Sequence, residues 1–153
     1  MDYAQIVVQE DKLTFVRQEI SPVVVGKPLI ILDRDNTLNV DKGYTHRLDD
    51  LFIIQSILET LVCVDIKKFT VVCATNQAGV AKGYYSKEEM EKFNYALAYE
   101  FGLKGVDIST FYCCVHSVEQ NCNCRKPKPG LLIAAITDNN ADVNKTIFIG
   151  NQE

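Results

Sequence analysis

Hydrophobic residues in this chain form short clusters that alternate with longer stretches at helical spacing. The run 29–32 is entirely apolar, which is typical of a strand buried on both faces, and the largely apolar segments 69–74, 108–113 and 146–149 also predict strands. Apolar residues recur every three or four positions over 55–67, 86–101 and 129–137, which predicts three helices. The alternation predicts an α/β domain with a Rossmann-like, mainly parallel sheet and helices on its faces.

The first 28 residues follow a different pattern. Two short segments with β character, 5–8 and 13–16, flank the polar residues 9–12, which predicts a hairpin. The proline and glycine residues between 21 and 28 then indicate turns. We therefore interpret 1–28 as an N-terminal appendage and 29–153 as the main domain.

Composition narrows the function classes. The 153 residues are 47% hydrophobic and 24% charged, with a net charge of −4, values typical of one globular domain. No apolar run approaches the roughly 18 residues that span a bilayer, and the N-terminus lacks the layout of a secretory signal. We therefore expect a cytoplasmic protein without a membrane partner. The acidic balance disfavours nucleic acid as a partner.

Four of the six cysteines lie within residues 113–124, beside a histidine. Cys114, His116, Cys122 and Cys124 offer three thiolates and one imidazole, a complete tetrahedral ligand set for structural zinc. A redox pair or a fortuitous arrangement is the alternative interpretation. The remaining cysteines are predicted to be core residues: Cys63, Cys73 and Cys113.

Residues that could take part in catalysis or ligand binding follow each predicted strand. Asp33 and Asp35 follow the first strand, 75–77 the second, the cysteine-rich segment the third, and Gly150 with Asn151 the fourth. Ligands of parallel α/β sheets bind beyond the carboxyl ends of the strands, so we expect the functional site at this edge. The Asp-x-Asp pair alone would also fit a calcium loop or a solvated turn.

Four motifs extend this pattern. They are Asp-Arg-Asp-Asn-Thr-Leu-Asn at 33–39, Asp-Lys-Gly-Tyr at 41–44, Thr-Asn-Gln-Ala-Gly-Val-Ala at 75–81, and Cys-Asn-Cys-Arg-Lys-Pro at 122–127. Because these motifs follow one another in the family's order over residues 29–153, the chain resembles the haloacid dehalogenase superfamily of phosphatases. It is most similar to the branch with the D-glycero-D-manno-heptose-1,7-bisphosphate and histidinol-phosphate phosphatases, which carries a zinc loop at the cysteine segment.

The resemblance implies a division of catalytic roles. Asp33 would be the nucleophile that accepts the phosphoryl group, and Asp35 the general acid and base. Thr75 would hydrogen-bond the phosphate, and Lys126 would stabilise its charge. The resemblance also implies Mg²⁺ held by Asp33, the backbone carbonyl of Asp35 and Asn151.

A second set of residues is implied to contact the substrate: Asp41, Lys42, Gly43, Tyr44, Asn76, Gln77, Ala78 and Arg125. The implied substrate is a small phosphorylated metabolite, and the first candidate is the heptose 1,7-bisphosphate of lipopolysaccharide heptose biosynthesis. We expect the enzyme to be a monomer. Histidinol phosphate is the alternative substrate. A catalytically impaired zinc-containing domain that binds a phosphorylated metabolite is the alternative function.

The chain departs from the family pattern at two positions. Asn36 stands where the family has glycine; asparagine tolerates positive φ better than other residues, so we expect the turn to be kept. Asn151 stands where the family has aspartate, and a neutral amide is a weaker ligand for Mg²⁺ than a carboxylate, so we expect weaker binding. Since the family continues with a further helix and strand, we expect its C-terminal part to be missing here.

Overall fold

The computed structural model describes residues 14–150 as one five-stranded sheet with helices on both faces. The strands are β1 (Val16–Glu19), β2 (Leu29–Leu32), β3 (Thr70–Asn76), β4 (Ile108–Cys114) and β5 (Thr146–Ile149). Their order is β1-β4-β3-β2-β5. Strands β2 to β5 are mutually parallel, as their hydrophobic runs predict, and β1 is antiparallel to β4.

Three helices connect the strands: α1 (Gln55–Cys63), α2 (Lys87–Gly102) and α3 (Gly130–Asp138). Helix α2 begins with the predicted capping box, in which Ser86 and Glu89 exchange two hydrogen bonds of 3.1 Å. Helix α1 ends four residues earlier than predicted because Val64 is extended and exposed, so continued winding would bury no further apolar surface. Cys63 is therefore exposed at the helix end, and its predicted place in the core is wrong.

Alternate side chains of the central strands build a core on each face of the sheet. One face joins Ile30, Leu32, Val71, Cys73 and Cys113 to α1 and α2. The other joins Leu29, Ile31, Val72, Ala74 and Cys114 to α3. Cys113 and Cys114 thus point to opposite faces, as the two-residue period of a strand requires.

The N-terminal segment contributes β1 to the edge of the sheet. Val16 pairs with Cys113 and Glu19 with Thr110 in the antiparallel register. The predicted strand at 13–16 is thus placed slightly later, and its neighbour is β4. The other half of the predicted hairpin, 5–8, lies outside the described residues. Within 14–150, no helix is both long enough and apolar enough to cross a membrane.

Candidate active site

Asp33 directly follows β2 and lies at the carboxyl edge of the sheet. Its backbone N–H donates to the Ile149 carbonyl at 2.9 Å, which holds it between β2 and β5. The residue is only 7% exposed, and its carboxylate Oδ1 accepts from Lys126 Nζ at 3.0 Å and from the Arg34 backbone N–H at 2.8 Å. Within 14–150 no hydrogen bond reaches Oδ2. One oxygen is therefore anchored while the other is available to react or to bind a cation.

Asp35 is held by donors on both carboxylate oxygens. Its Oδ1 accepts from Arg34 Nε at 3.0 Å and from Asn39 Nδ2 at 3.1 Å. Its Oδ2 accepts from Gln77 Nε2 at 3.0 Å. The side chain is thus fixed beside Asp33, and Oδ2 is the oxygen with a single protein donor.

Arg34 lies between the two aspartates and is completely buried. Besides Asp35, its guanidinium donates to Asn94 Oδ1 on α2 at 3.1 Å and to the Thr45 carbonyl at 2.7 Å. It lies 4.6 Å from the centre of the Phe93 ring. A buried charge is costly unless it is paired and hydrogen-bonded, and these contacts meet that requirement. Arg34 therefore joins Asp35 to α2 and to the loop at 36–46.

That loop, residues 36–46, turns through left-handed backbone. Asn36 has φ of +62°, as expected for asparagine in place of glycine, and its Oδ1 accepts from the Asp41 N–H at 3.1 Å. Asp41 Oδ1 in turn accepts from the Gly43 N–H at 3.0 Å and from Thr45 Oγ1 at 2.9 Å. Asp41 is therefore the residue that closes the turn.

The end of β3 brings Thr75 and Asn76 to the same edge. Thr75 Oγ1 accepts from Gln77 Nε2 at 2.9 Å. The Asn76 amide forms two hydrogen bonds with the backbone of Lys126, accepting from its N–H at 2.9 Å and donating to its carbonyl at 3.1 Å. Asn76 thereby fixes the segment that carries Lys126, a role that its spacing in the sequence does not reveal.

The Lys126 side chain crosses from the cysteine segment to the strand ends. Its Nζ donates to the Ala74 carbonyl at 2.9 Å as well as pairing with Asp33, and it lies 5.4 Å from the centre of the Phe148 ring. The neighbouring Arg125 has a buried Nη1 with no hydrogen-bond partner among residues 14–150. An unpaired buried guanidinium nitrogen is costly, and an anionic ligand in the site would satisfy it.

A cavity of about 370 Å³ opens over these groups. The predicted site residues that line it are Asp33, Asp35, Asp41, Gly43, Tyr44, Asn76, Gln77, Ala78 and Arg125. A neighbouring cavity of about 520 Å³ shares Asp33 and Asn76 and adds Lys126. The structure therefore brings together most of the residues that the motifs indicate.

Lys42 stands apart from this group. Lys42 Nζ lies 3.6 Å from Asp50 Oδ1 and 4.4 Å from the centre of the Phe52 ring, and the residue does not line the cavity. Its neighbours Asp41 and Gly43 both line the cavity. Asn151 lies outside the described residues.

Further residues line the cavity without having been predicted: Asn36, Lys82, Tyr85, Val118 and Glu119. Lys82 Nζ donates to the Tyr44 hydroxyl at 2.9 Å, and Tyr44 packs edge-on against Tyr84 with 4.8 Å between ring centres. The only signal for Lys82 was its closeness to the motif at 75–81.

The three cysteines and the histidine predicted to bind zinc form one buried cluster. Their ligand atoms all lie within 4.8 Å of one another. Cys114 Sγ is 3.6 Å from Cys122 Sγ, and His116 Nδ1 is 3.2 Å from Cys124 Sγ. Hydrogen bonding from Cys124 lowers the pKa of the Cys114 thiol to about 5. Three sulfurs and one nitrogen at this spacing suit a closed tetrahedral zinc site.

Comparison with known proteins gives a consistent result. A family model described as polynucleotide kinase 3 phosphatase matches residues 28–152. A D-glycero-beta-D-manno-heptose-1,7-bisphosphate 7-phosphatase of Pasteurella multocida is 37% identical over 132 residues, which cover 82% of this chain and 72% of that protein. A probable enzyme of the same name from Thermoplasma acidophilum is 36% identical and is covered over 78% of its length, with 81% of this chain aligned.

Solved structures agree with these relatives. The D,D-heptose 1,7-bisphosphate phosphatase of B. bronchiseptica, complexed with magnesium and phosphate, has a TM-score of 0.69 at 28% identity, covering 75% of this chain and 65% of that one. A HAD-like phosphatase from Mesorhizobium loti shares the fold with a TM-score of 0.81 at 23% identity, covering 92% of this chain and 71% of that one. The chain therefore belongs to the haloacid dehalogenase-like phosphatases, in the branch of the heptose-1,7-bisphosphate phosphatases.

Proposed function

We propose that this chain hydrolyses a phosphomonoester of D-glycero-D-manno-heptose 1,7-bisphosphate in a Mg²⁺-dependent reaction. The observation that carries the proposal is the ion pair of 3.0 Å between Lys126 and Asp33, next to an Asp35 that is fixed by three side chains. The relatives whose names specify this substrate support the choice of sugar.

The two aspartates divide the chemistry. The available Oδ2 of Asp33 attacks phosphorus and forms an aspartyl phosphate, while Asp35 gives its proton to the departing sugar oxygen. Asp35 then takes a proton from water, whose oxygen attacks the aspartyl phosphate and releases inorganic phosphate. Both carboxyl groups return to their starting state.

The surrounding residues stabilise and orient the transferred group. Lys126 would offset the negative charge on the phosphoryl oxygens, and the Thr75 hydroxyl, which donates to the Asn76 carbonyl at 3.4 Å, would turn to donate to one of them. Mg²⁺, held by Asp33, the Asp35 carbonyl and Asn151, would neutralise the repulsion between the carboxylate and the phosphate dianion. The Asp33 carboxylate, whose Oδ1 alone accepts hydrogen bonds within 14–150, offers this hard cation an oxygen ligand.

A bisphosphate substrate carries a second phosphate, and the cavity contains two further cations for it. Arg125 brings the unpartnered Nη1, and Lys82 lies on the same cavity with its Nζ at the Tyr44 hydroxyl. Charge-assisted hydrogen bonds to phosphate are among the strongest in proteins. We assign these two residues to the phosphate that is not cleaved.

We further propose that the cysteine and histidine cluster binds one structural zinc ion. All four ligand groups are used, so no position remains for substrate or water, and the ion would take no part in the reaction. Its role would be to hold the segment that carries Arg125 and Lys126, the two residues that follow Cys124.

The proposed function is tested by phosphate release in the presence of Mg²⁺. With the heptose bisphosphate we expect turnover by the parent chain and a loss of more than about a thousandfold in Asp33→Asn, since a nucleophile is removed. Asp107→Asn is the matched control, because Asp107 precedes β4 at the opposite end of the sheet and should leave turnover unchanged.

Three outcomes would contradict the proposal. Equal activity of Asp33→Asn and the parent would exclude Asp33 as the nucleophile. Turnover of histidinol phosphate without turnover of the heptose bisphosphate would replace the substrate, and turnover of neither would refute the enzymatic assignment.

A further inference from the structure

Tyr85 borders the cavity in a rigid position. It is 4% exposed and directly precedes Ser86, the N-cap of α2. One ring face stacks on His46, with 4.6 Å between ring centres. The ring also lies against Gly79, where an added Cβ would lie 2.2 Å from Tyr85 Cε1. Only glycine at 79 permits this approach, and the two contacts leave the hydroxyl in one place.

The Tyr85 hydroxyl donates to Gln77 Oε1 at 2.6 Å. Burial raises the pKa of Tyr85 to about 12, so the hydroxyl keeps its proton throughout the neutral range. With Oε1 occupied by this donor, the amide Nε2 faces Asp35 Oδ2 at 3.0 Å and Thr75 Oγ1 at 2.9 Å. In the flipped orientation Oε1 would face the Asp35 carboxylate, and two acceptors would repel each other.

Gln77 has no free polar group to offer a substrate. It is 2% exposed, its backbone N–H donates to the Cys114 carbonyl at 2.6 Å, and both atoms of its amide are engaged by side chains. The resemblance implied a direct substrate contact for this residue. The contacts instead make it the connection between Tyr85 and Asp35.

We propose that Tyr85 is a positioning residue for phosphoryl transfer: its hydroxyl fixes the Gln77 amide, which orients the Asp35 carboxylate and the Thr75 hydroxyl. The inference rests on the proposed function, since it concerns the groups that move the proton and hold the phosphate. Misplacement of a reacting group by even 1 Å can cost about a hundredfold in rate, so the orientation of Asp35 matters.

The first test compares Tyr85→Phe with Tyr112→Phe. Both tyrosines are buried and each hydroxyl donates one hydrogen bond, that of Tyr112 to Asp138 Oδ2 at 2.9 Å, away from this cavity. We expect kcat of Tyr85→Phe to fall about tenfold with KM changed less than about twofold. Tyr112→Phe should keep the parent kcat. If kcat falls equally in both variants, the cause is the loss of a buried hydroxyl in general, and the inference is overturned.

The second test places Tyr85→Phe in a Gln77→Ala background. If Tyr85 acts through Gln77, the double variant has the kcat of Gln77→Ala alone, because the connection is already broken. If the loss of kcat in the double variant is instead the product of the losses in the two single variants, Tyr85 acts independently of Gln77 and the inference fails. Thermal melting of all variants confirms that each is folded at the assay temperature.

Measurements with the heptose bisphosphate and with p-nitrophenyl phosphate separate the two proposals. An active parent with a fully active Tyr85→Phe overturns the positioning role and leaves the proposed function intact. A parent that cleaves only p-nitrophenyl phosphate overturns the proposed substrate, while the variants still test the positioning role. A parent that cleaves neither overturns both.

Discussion

At the scale of single residues, Arg34 shows how a buried charge can organise a site. Its guanidinium reaches an acid, an amide oxygen and a backbone carbonyl, on Asp35, Asn94 and Thr45. Each donor has a fixed direction because the group is planar. The Arg34 side chain thus sets the relative positions of Asp35, α2 and the loop at 36–46.

Replacing Arg34 with lysine should destabilise the chain by about 3 kcal/mol, because an ammonium group cannot span these acceptors and leaves buried polar atoms unpaired. Arg17→Lys is the control. Arg17 pairs with Asp138 at 2.6 Å, and its side chain is 44% exposed, so we expect less than about 1 kcal/mol. Urea unfolding at a constant metal concentration measures both. An equal decrease in the free energy of unfolding of the two variants would refute the special role of Arg34.

At the scale of elements, the segment between β4 and α3 has little regular structure, yet it carries Arg125 and Lys126, two of the cations of the site. Lys128 Nζ donates to the Cys122 carbonyl at 2.7 Å, which ties the segment to itself. Gly130, at the start of α3, lies so near that an added Cβ would be 2.5 Å from the Asn123 carbonyl oxygen. Ordering this segment costs conformational entropy, which metal binding would offset.

Cys122→Ser should therefore release zinc, reduce the free energy of unfolding by several kcal/mol, and lower phosphate release because Lys126 loses its support. Cys63→Ser is the matched control, since Cys63 is exposed and outside the cluster. Elemental analysis should give about one zinc per chain for the parent and the control. A parent purified without tightly held metal would contradict the prediction.

At the scale of the whole molecule, the site exists only because several separate elements meet at one edge of the sheet. Asp33 follows β2, Thr75 is the penultimate residue of β3, Lys126 comes from the segment after β4, and Tyr85 precedes α2. A ligand that contacts several of these elements binds the folded chain and not the unfolded one. Binding should therefore raise the stability of the entire domain.

Phosphate together with Mg²⁺ should raise the melting temperature of the parent, with about 2.7 kcal/mol of stabilisation at a hundred times the dissociation constant. Phosphate without added Mg²⁺ should stabilise less, because the charge of the anion is then opposed by Asp33 and Asp35. Differential scanning calorimetry across a phosphate series checks this. A melting temperature that stays unchanged when phosphate and Mg²⁺ are added would argue against the proposed site.

Much of the fold followed from local sequence. Strand β2 and the capping box at Ser86 were predicted correctly because both depend on neighbouring residues and their period. The end of α1 was misplaced because Val64 fits the helical period but finds no core to pack against. Tyr85, by contrast, belongs to no motif and reaches the cavity only through the packing of α2 and its preceding turn.

The sequence by itself determined the succession of strands and helices along the chain, the edge at which the site forms, and the membership of the cysteine and histidine cluster, since periodicity, caps and motif spacing are local properties. Only the tertiary structure decided that Arg34 is buried, that Asn76 fixes Lys126, that Lys42 turns away from the cavity, and that Tyr85 fixes Gln77. Such contacts depend on the direction of each side chain. Direction is set when distant segments pack together.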